Sequence, residues 1–260
     1  LAHATDFDDT HNATLLHPSG PVVAAALAMA EACQRDGRDL LEAIVIGNEI
    51  GCRLAMIAPL AFHRQGQHPT GILAPVMTAV VAGRLLGLGA EALVHAVGIA
   101  GSQASGILES FADGTWVKTL HPGWGAHAGI VAALLAQAGF TGPASVIEGR
   151  FGLFRSHLAD PGGIDRFDRA VEGLGEHWDS RDNSFKPYAC AHVIHPFVDL
   201  ALQARQEGLT ADRIDSVEMV LNPRYIPVVA EPRDAKLAPR TPTHARASLP
   251  YCVAAAWVLG

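Results

Sequence analysis

Two stretches, ILAPVMTAVVAG at 72–83 and GAHAGIVAALLAQAG at 125–139, consist almost wholly of small apolar residues. They constrain the fold more than any other feature. Alanine and leucine favour helix, and a helix surfaced with alanine and glycine lets its neighbour approach closely. Similar runs at 21–30 (PVVAAALAMA) and 89–101 (GAEALVHAVGIAG) extend the pattern, so a compact α-helical body is expected. With 49% hydrophobic and 17% charged residues over 260 positions, there is apolar mass for one large domain or two smaller ones, and disorder is excluded as the main state. Each run is too short to cross about 30 Å of hydrocarbon.

Periodicity and breakers predict helices over 21–34, 40–58, 72–86, 90–104 and 125–139, the last ended by Gly139. A loop is expected over 59–71 and a polar one over 110–123. DPGGIDRFDRAVEGLGEHWDSRDN, from 160, is charged and Gly-rich and reads as a connecting segment. RIDSVEMVLNPRY (213–225) alternates with period two, as a strand does. The expected fold is mainly α: a large helical domain over 1–181, then a smaller α+β domain over 182–260.

The net charge of −7 and the scattered basic residues argue against nucleic acid as a partner. Cys33, Cys52, Cys190 and Cys252 stand far apart. That spacing favours neither an iron–sulfur cluster, nor zinc, nor a disulfide framework, and reduced thiols in the cytoplasm are expected. Uncapped apolar residues at both ends predict a piece of a longer chain.

Against this apolar background, histidine precedes proline in HPSG (17–20), HPTG (68–71) and HPGW (121–124). Proline drives the preceding residue into extended backbone and fits the first helical position. Each unit is therefore expected to hold a histidine at a helix mouth, where free N–H groups and the helix dipole favour an anion. An incidental turn is the plain alternative for any one of them. DFDDTH (6–11) packs three carboxylates into four positions, which suits Mg²⁺ or Mn²⁺; no second acidic cluster at helical spacing completes such a shell, and capping is the simpler use. Lys118 and Lys186 stand in otherwise uncharged neighbourhoods, where each can pair with a carboxylate or act as an acid.

DFDDTHNATLLHPSG, GQHPTGILAPVMTAVVAGRLLGL, HAVGIAGSQASGILES, DGTWVKTLHPGWGAHAGIVAALLAQAGFTGPASVIEGRFG and FKPYACAHVIHPFVDLAL resemble, in order, successive blocks of the MmgE/PrpD family. The resemblance covers nearly the whole chain, with 100–155 the most specific part. It implies a helical domain joined to an α+β lid, an active site between them, a homodimer, and neither metal nor organic cofactor. It also implies that the start of the helical domain and the end of the lid lie outside this sequence. Members dehydrate 2-methylcitrate, decarboxylate cis-aconitate or epimerise iminodisuccinate. The pocket implied by the decarboxylase falls on Asp6, Thr10, His17, His68, Lys118, Lys186 and Tyr251, with one extra residue between Thr10 and His17. A further pocket histidine aligns with Ala191; His192 is adjacent and His195 stands four on.

The expectation is a cofactor-independent acid–base lyase acting on a di- or tricarboxylate, first a dehydratase, with decarboxylase or epimerase as alternatives. A non-catalytic helical scaffold is the reading outside the family. Thr10, His17, Lys118, Lys186 and His195 would hold carboxylates, His68 or Asp6 would serve as base, and Tyr251 or a lysine as acid.

Overall fold

A computed structural model of the chain describes residues 1–158 and 166–260. They divide into two compact units: Leu1–His3, Asp8–Leu108 and Val117–Phe185 form the first, and Ala4–Phe7, Glu109–Trp116 and Lys186–Gly260 the second. The fold is mainly α, and the one ladder among the described residues pairs β1 (Thr10–His11) with β2 (Asn183–Ser184), antiparallel and within the first unit.

Five long helices build the first unit: α1 (Ser19–Ala32), α2 (Gly37–Ile57), α3 (Pro69–Leu86), α4 (Ala90–Gly101) and α5 (Val117–Gln137). Local chemistry sets their ends. The Asp36 carboxylate accepts from Arg38 N and Asp39 N, both at 2.9 Å, and starts α2. His68 is the N-cap of α3 with Pro69 in its first turn, and Gly87, at φ 76°, closes it in the left-handed conformation. α3 packs against the four other long helices and is buried on every side, from Pro69 to Gly83 without a break. It extends the 72–83 run to 18 residues, enough by length and hydropathy for a membrane span, yet 89% of that window is buried inside the protein.

Small residues bring α3 and α5 together. A Cβ on Gly129 would stand 2.0 Å from Thr78 Oγ1 and 2.5 Å from Ala79 N, so only glycine fits. The Thr78 hydroxyl lies 2.7 Å from the Ala74 carbonyl on its own helix and 2.9 Å from that of Gly125 on α5.

α5 corrects the reading of 110–123 as loop. It begins at Val117, with Pro122 inside it. The proline removes the bond that position 122 would give to the Lys118 carbonyl, a loss tolerated near a helix end. His121 is therefore a helical residue and does not stand at a helix mouth.

The stretch after 160 also differs from expectation. Residues 160–165 lie outside the described residues, but 166–185 belong to the first unit and are pinned to α2. Arg53, its side chain 2% exposed, pairs with Glu49 at 2.5 Å. The guanidinium also donates to the Glu172 carbonyl at 2.8 Å and to that of His177. Glu49 accepts from the backbone N–H groups of Asp179 (3.1 Å) and Ser180 (2.9 Å). Burial pushes the Glu49 carboxyl up, but bonds from Ser180, Arg53 and Asp179 outweigh it, and its pKa lies below the ordinary value.

In the second unit α6 (His195–Gln206) packs on α7 (Leu249–Leu259), around Cys190, Ile194, Val198, Val229 and Val253. The expected strand at 213–225 takes no ladder partner among the described residues. Sidedness survives only at 219–221: Met219 and Leu221 pack on this core while Val220 is 89% exposed, and 215–218 are all exposed. Period two records which side faces the core, and the hydrogen-bonded neighbour that makes a strand is a separate condition.

Candidate active site

Inside the apolar first unit lies a knot of polar side chains. The turn before α1 carries His17, the N-cap of α3 is His68, and α5 presents Lys118 from its first turn and His121 from its second. The amino terminus adds His3. Ring centroids lie 5.1 Å apart for His3–His17, 5.5 Å for His3–His68, 6.1 Å for His17–His68 and 5.2 Å for His68–His121. Four imidazoles and a lysine thus share one region of a helical core.

Their hydrogen bonds fix most of the ring protons. His3 Nδ1 is 2.5 Å from Asp8 Oδ2, and His3 Nε2 is 2.5 Å from Lys118 Nζ. A carboxylate only accepts, so Nδ1 carries the proton and the neutral ring accepts from the Lys118 ammonium at Nε2. Asp8, His3 and Lys118 form a chain that holds the ammonium beside the other rings; the His3 and Asp8 side chains are only 2% and 3% exposed. His17 Nδ1 lies 2.8 Å from the Asp9 carbonyl and 3.1 Å from Thr10 Oγ1, so it is the donor there. The His17 backbone N–H donates to Thr70 Oγ1 at 3.0 Å. Asp9 accepts from Ser19 N at 3.0 Å, Ser19 Oγ at 2.8 Å and Asn183 Nδ2 at 3.1 Å, a capping use for one acid of DFDDTH.

His68 is the most enclosed member, 1% exposed. Its Nδ1 stands 3.0 Å from His121 Nδ1, and its Nε2 is buried with no hydrogen-bond partner. An orphaned polar atom in a dry core costs about 1–3 kcal/mol, and such a group points to a ligand. Burial first, then the Lys118 charge and the neighbouring histidines, hold the His68 pKa well below its ordinary value. Burial and Lys118 push His121 down to about 4, and they do the same to His63. His68 and His121 are thus neutral at pH 7, and Lys118 supplies a positive charge beside them. Backbone geometry secures the pair: His68 N donates to the Gly106 carbonyl at 2.9 Å, and at Gly106 (φ 138°) a Cβ would stand 3.2 Å from His121 Nδ1.

Of the residues expected from sequence, Thr10, His17, His68 and Lys118 gather in this knot. Asp6, Lys186, His195 and Tyr251 belong to the second unit. There Asp6 Oδ2 lies 3.9 Å from Arg246 Nη1. His195 opens α6 with its Nε2–H on the Cys190 carbonyl at 3.2 Å, its ring edge-on to Tyr188 at 5.4 Å and near His192 at 5.5 Å. That nitrogen is committed to the backbone. Burial and the Lys186 charge lower the pKa of both His192 and His195; Lys186 is 6% exposed. Tyr251 sits in the first turn of α7, 45% exposed. Sequence reasoning missed His3 and Asp8 and misplaced His121. The acidic run carried a signal for Asp8, but not for which of its acids would meet a histidine.

Residues 1–162 match the MmgE/PrpD N-terminal domain and residues 188–260 the MmgE/PrpD C-terminal domain. The chain is 30% identical over 201 residues to a cis-aconitate decarboxylase of Aspergillus terreus, covering 74% of this chain and 41% of that protein. It is 33% identical over 222 residues to the cis-aconitate decarboxylase of Homo sapiens, covering 81% and 44%. A cis-aconitate decarboxylase-like protein of Aspergillus oryzae is 30% identical over 242 residues, covering 88% and 49%. The chain thus spans less than half the length of these curated relatives, and by its matches over both domains it belongs to the MmgE/PrpD family.

Proposed function

We propose that the protein is a lyase that removes CO₂ from a small unsaturated tricarboxylate of the cis-aconitate type, using protein side chains as acid, base and charge stabiliser. One observation carries this reading: the neutral, buried His68, its Nε2 without a partner, within the reach of the Lys118 charge.

Loss of CO₂ leaves an electron pair on carbon, delocalised towards a remaining carboxylate. An ammonium held in a dry pocket stabilises such charge far better than it would in water. Lys118, steadied by the Asp8–His3 chain, suits that task, with Thr10 and His17 as further carboxylate contacts. The carbon then needs a proton, and His68 Nε2 is the donor in the first unit. Lys186, Tyr251, Asp6 and His195, all in the second unit, are assigned no chemical step.

The relatives' names favour decarboxylation over the dehydration expected from sequence. Dehydration asks for a base at one carbon and an acid at the departing hydroxyl, and His68 could serve as the base. Separate incubations with cis-aconitate, 2-methylcitrate and iminodisuccinate, followed by NMR in D₂O, divide the outcomes. The proposal expects CO₂ and one carbon-bound deuterium per turnover from cis-aconitate. New olefinic ¹³C signals from 2-methylcitrate without decarboxylation would replace it with a hydro-lyase; exchange into iminodisuccinate without net loss would indicate an epimerase.

A further inference from the structure

The structure assigns His121 a role of its own: we infer that it exchanges a proton with His68 across their Nδ1–Nδ1 hydrogen bond, letting His68 donate to carbon without becoming an anion. The inference rests on the decarboxylase reading above and deepens it.

Two ring nitrogens 3.0 Å apart in a buried setting need one proton between them. With none, two lone pairs would face each other; with two, the hydrogens would collide. Two neutral rings hold two ring protons in total, so one ring is protonated at Nδ1 and the other at Nε2. The tautomers are therefore locked in opposition. When His121 Nδ1–H donates, His68 carries its proton on Nε2, the buried atom without a partner.

This matters because of the proton balance. Breaking the carbon–carboxylate bond of the trianion leaves its electron pair on carbon and releases CO₂, and this carbanion, still carrying three negative charges, takes up one proton to give the product dianion. If His68 Nε2–H supplied that proton alone, an imidazolate would remain in a nearly dry site. With the relay, His68 Nε2 gives its proton to carbon, His121 passes its Nδ1 proton to His68 Nδ1, and His121 Nε2 takes one from solvent. Both rings end neutral, and the sum is one solvent proton delivered to carbon. Release of product lets water restore the starting tautomers. The burial gradient suits this direction, with His68 1% exposed and His121 9%. His121 is a positioning residue acting through His68.

The test joins kinetics to spectroscopy on the full-length protein. In His121→Gln the amide can still donate to His68 Nδ1 but cannot relay. We expect kcat on cis-aconitate to fall by about 10-fold or more with KM within about twofold, in the range of general-acid effects. The solvent deuterium dependence, bowed in the wild type because several protons move together, should become linear. Unchanged kcat and an unchanged bowed dependence would overturn the relay. In ¹⁵N-histidine-labelled wild type, one ring of the pair should be Nδ1-protonated and the other Nε2-protonated, with a scalar coupling between the two Nδ1 atoms. Two Nε2-protonated rings without that coupling would overturn it regardless of turnover or of the variant's folding. Wild-type protein that turns over no polycarboxylate would remove the functional reading, leaving the coupling to decide the pair.

Discussion

At the scale of the residue, His68 shows how burial changes the protonation of a common side chain. An exposed imidazole titrates near neutrality; this one is held neutral by its dry surroundings and by the Lys118 charge. Replacing Lys118 with Met removes a cation that depresses His63, His68 and His121, so all three pKa values should rise. For His121, now at about 4, an NMR titration would read the change, and an unmoved value would mean that burial alone sets it. His68→Gln should lower kcat by about 10²–10⁴-fold while the thermal midpoint holds within a few degrees. A variant of undiminished kcat would remove His68 from the chemistry.

At the scale of the element, the small-residue stripes decide which helices meet. Gly129→Ala forces a Cβ onto Thr78 and the backbone of Ala79. Overpacking of this kind costs about 1–3 kcal/mol, and a urea melt should show the loss; an unaltered midpoint would mean that α3 and α5 separate without penalty. The five long helices of the first unit were legible because their apolar period is local. The start of α5 was not, since His-Pro-Gly looks the same at a helix mouth and one turn inside. His17, His68 and Lys118 could be singled out by residue type and family resemblance. The Asp8–His3–Lys118 chain joins positions 3 and 118, which no local pattern can pair. The alternation over 213–225 predicts a strand, and none forms, because a strand also requires a hydrogen-bonded neighbour.

At the scale of the whole molecule, two groups of buried ionisable side chains tie stability to pH. His63, His68 and His121 have folded pKa values below the ordinary 6.5, so unfolding takes up protons below that pH. Their contribution is intact above pH 6.5 and is lost as pH falls towards their folded values. Glu49 is depressed below the ordinary carboxylate range and acts in the same direction at lower pH. The thermal midpoint should therefore fall steadily between pH 6.5 and 4; a flat profile would contradict the burial of these groups. Arg53→Met leaves Glu49 charged and buried without its cation, a loss of about 3–5 kcal/mol, and should speed hydrogen exchange across 167–182, which this pair holds in place. Exchange there at the wild-type rate would contradict the clamp.

In the proposed reaction, the lysine and histidines gathered in the first unit stabilise and then protonate the carbanion left when a carboxylate departs. The most direct measurement is ¹³CO₂ release from carboxyl-labelled cis-aconitate by the wild-type protein and by Lys118→Met, side by side. Steady release is expected from the wild type and a rate at least about 10²-fold lower from the variant, the scale of losing one charge-stabilising group. Equal rates from the two proteins, or no release from a folded wild type, would contradict it.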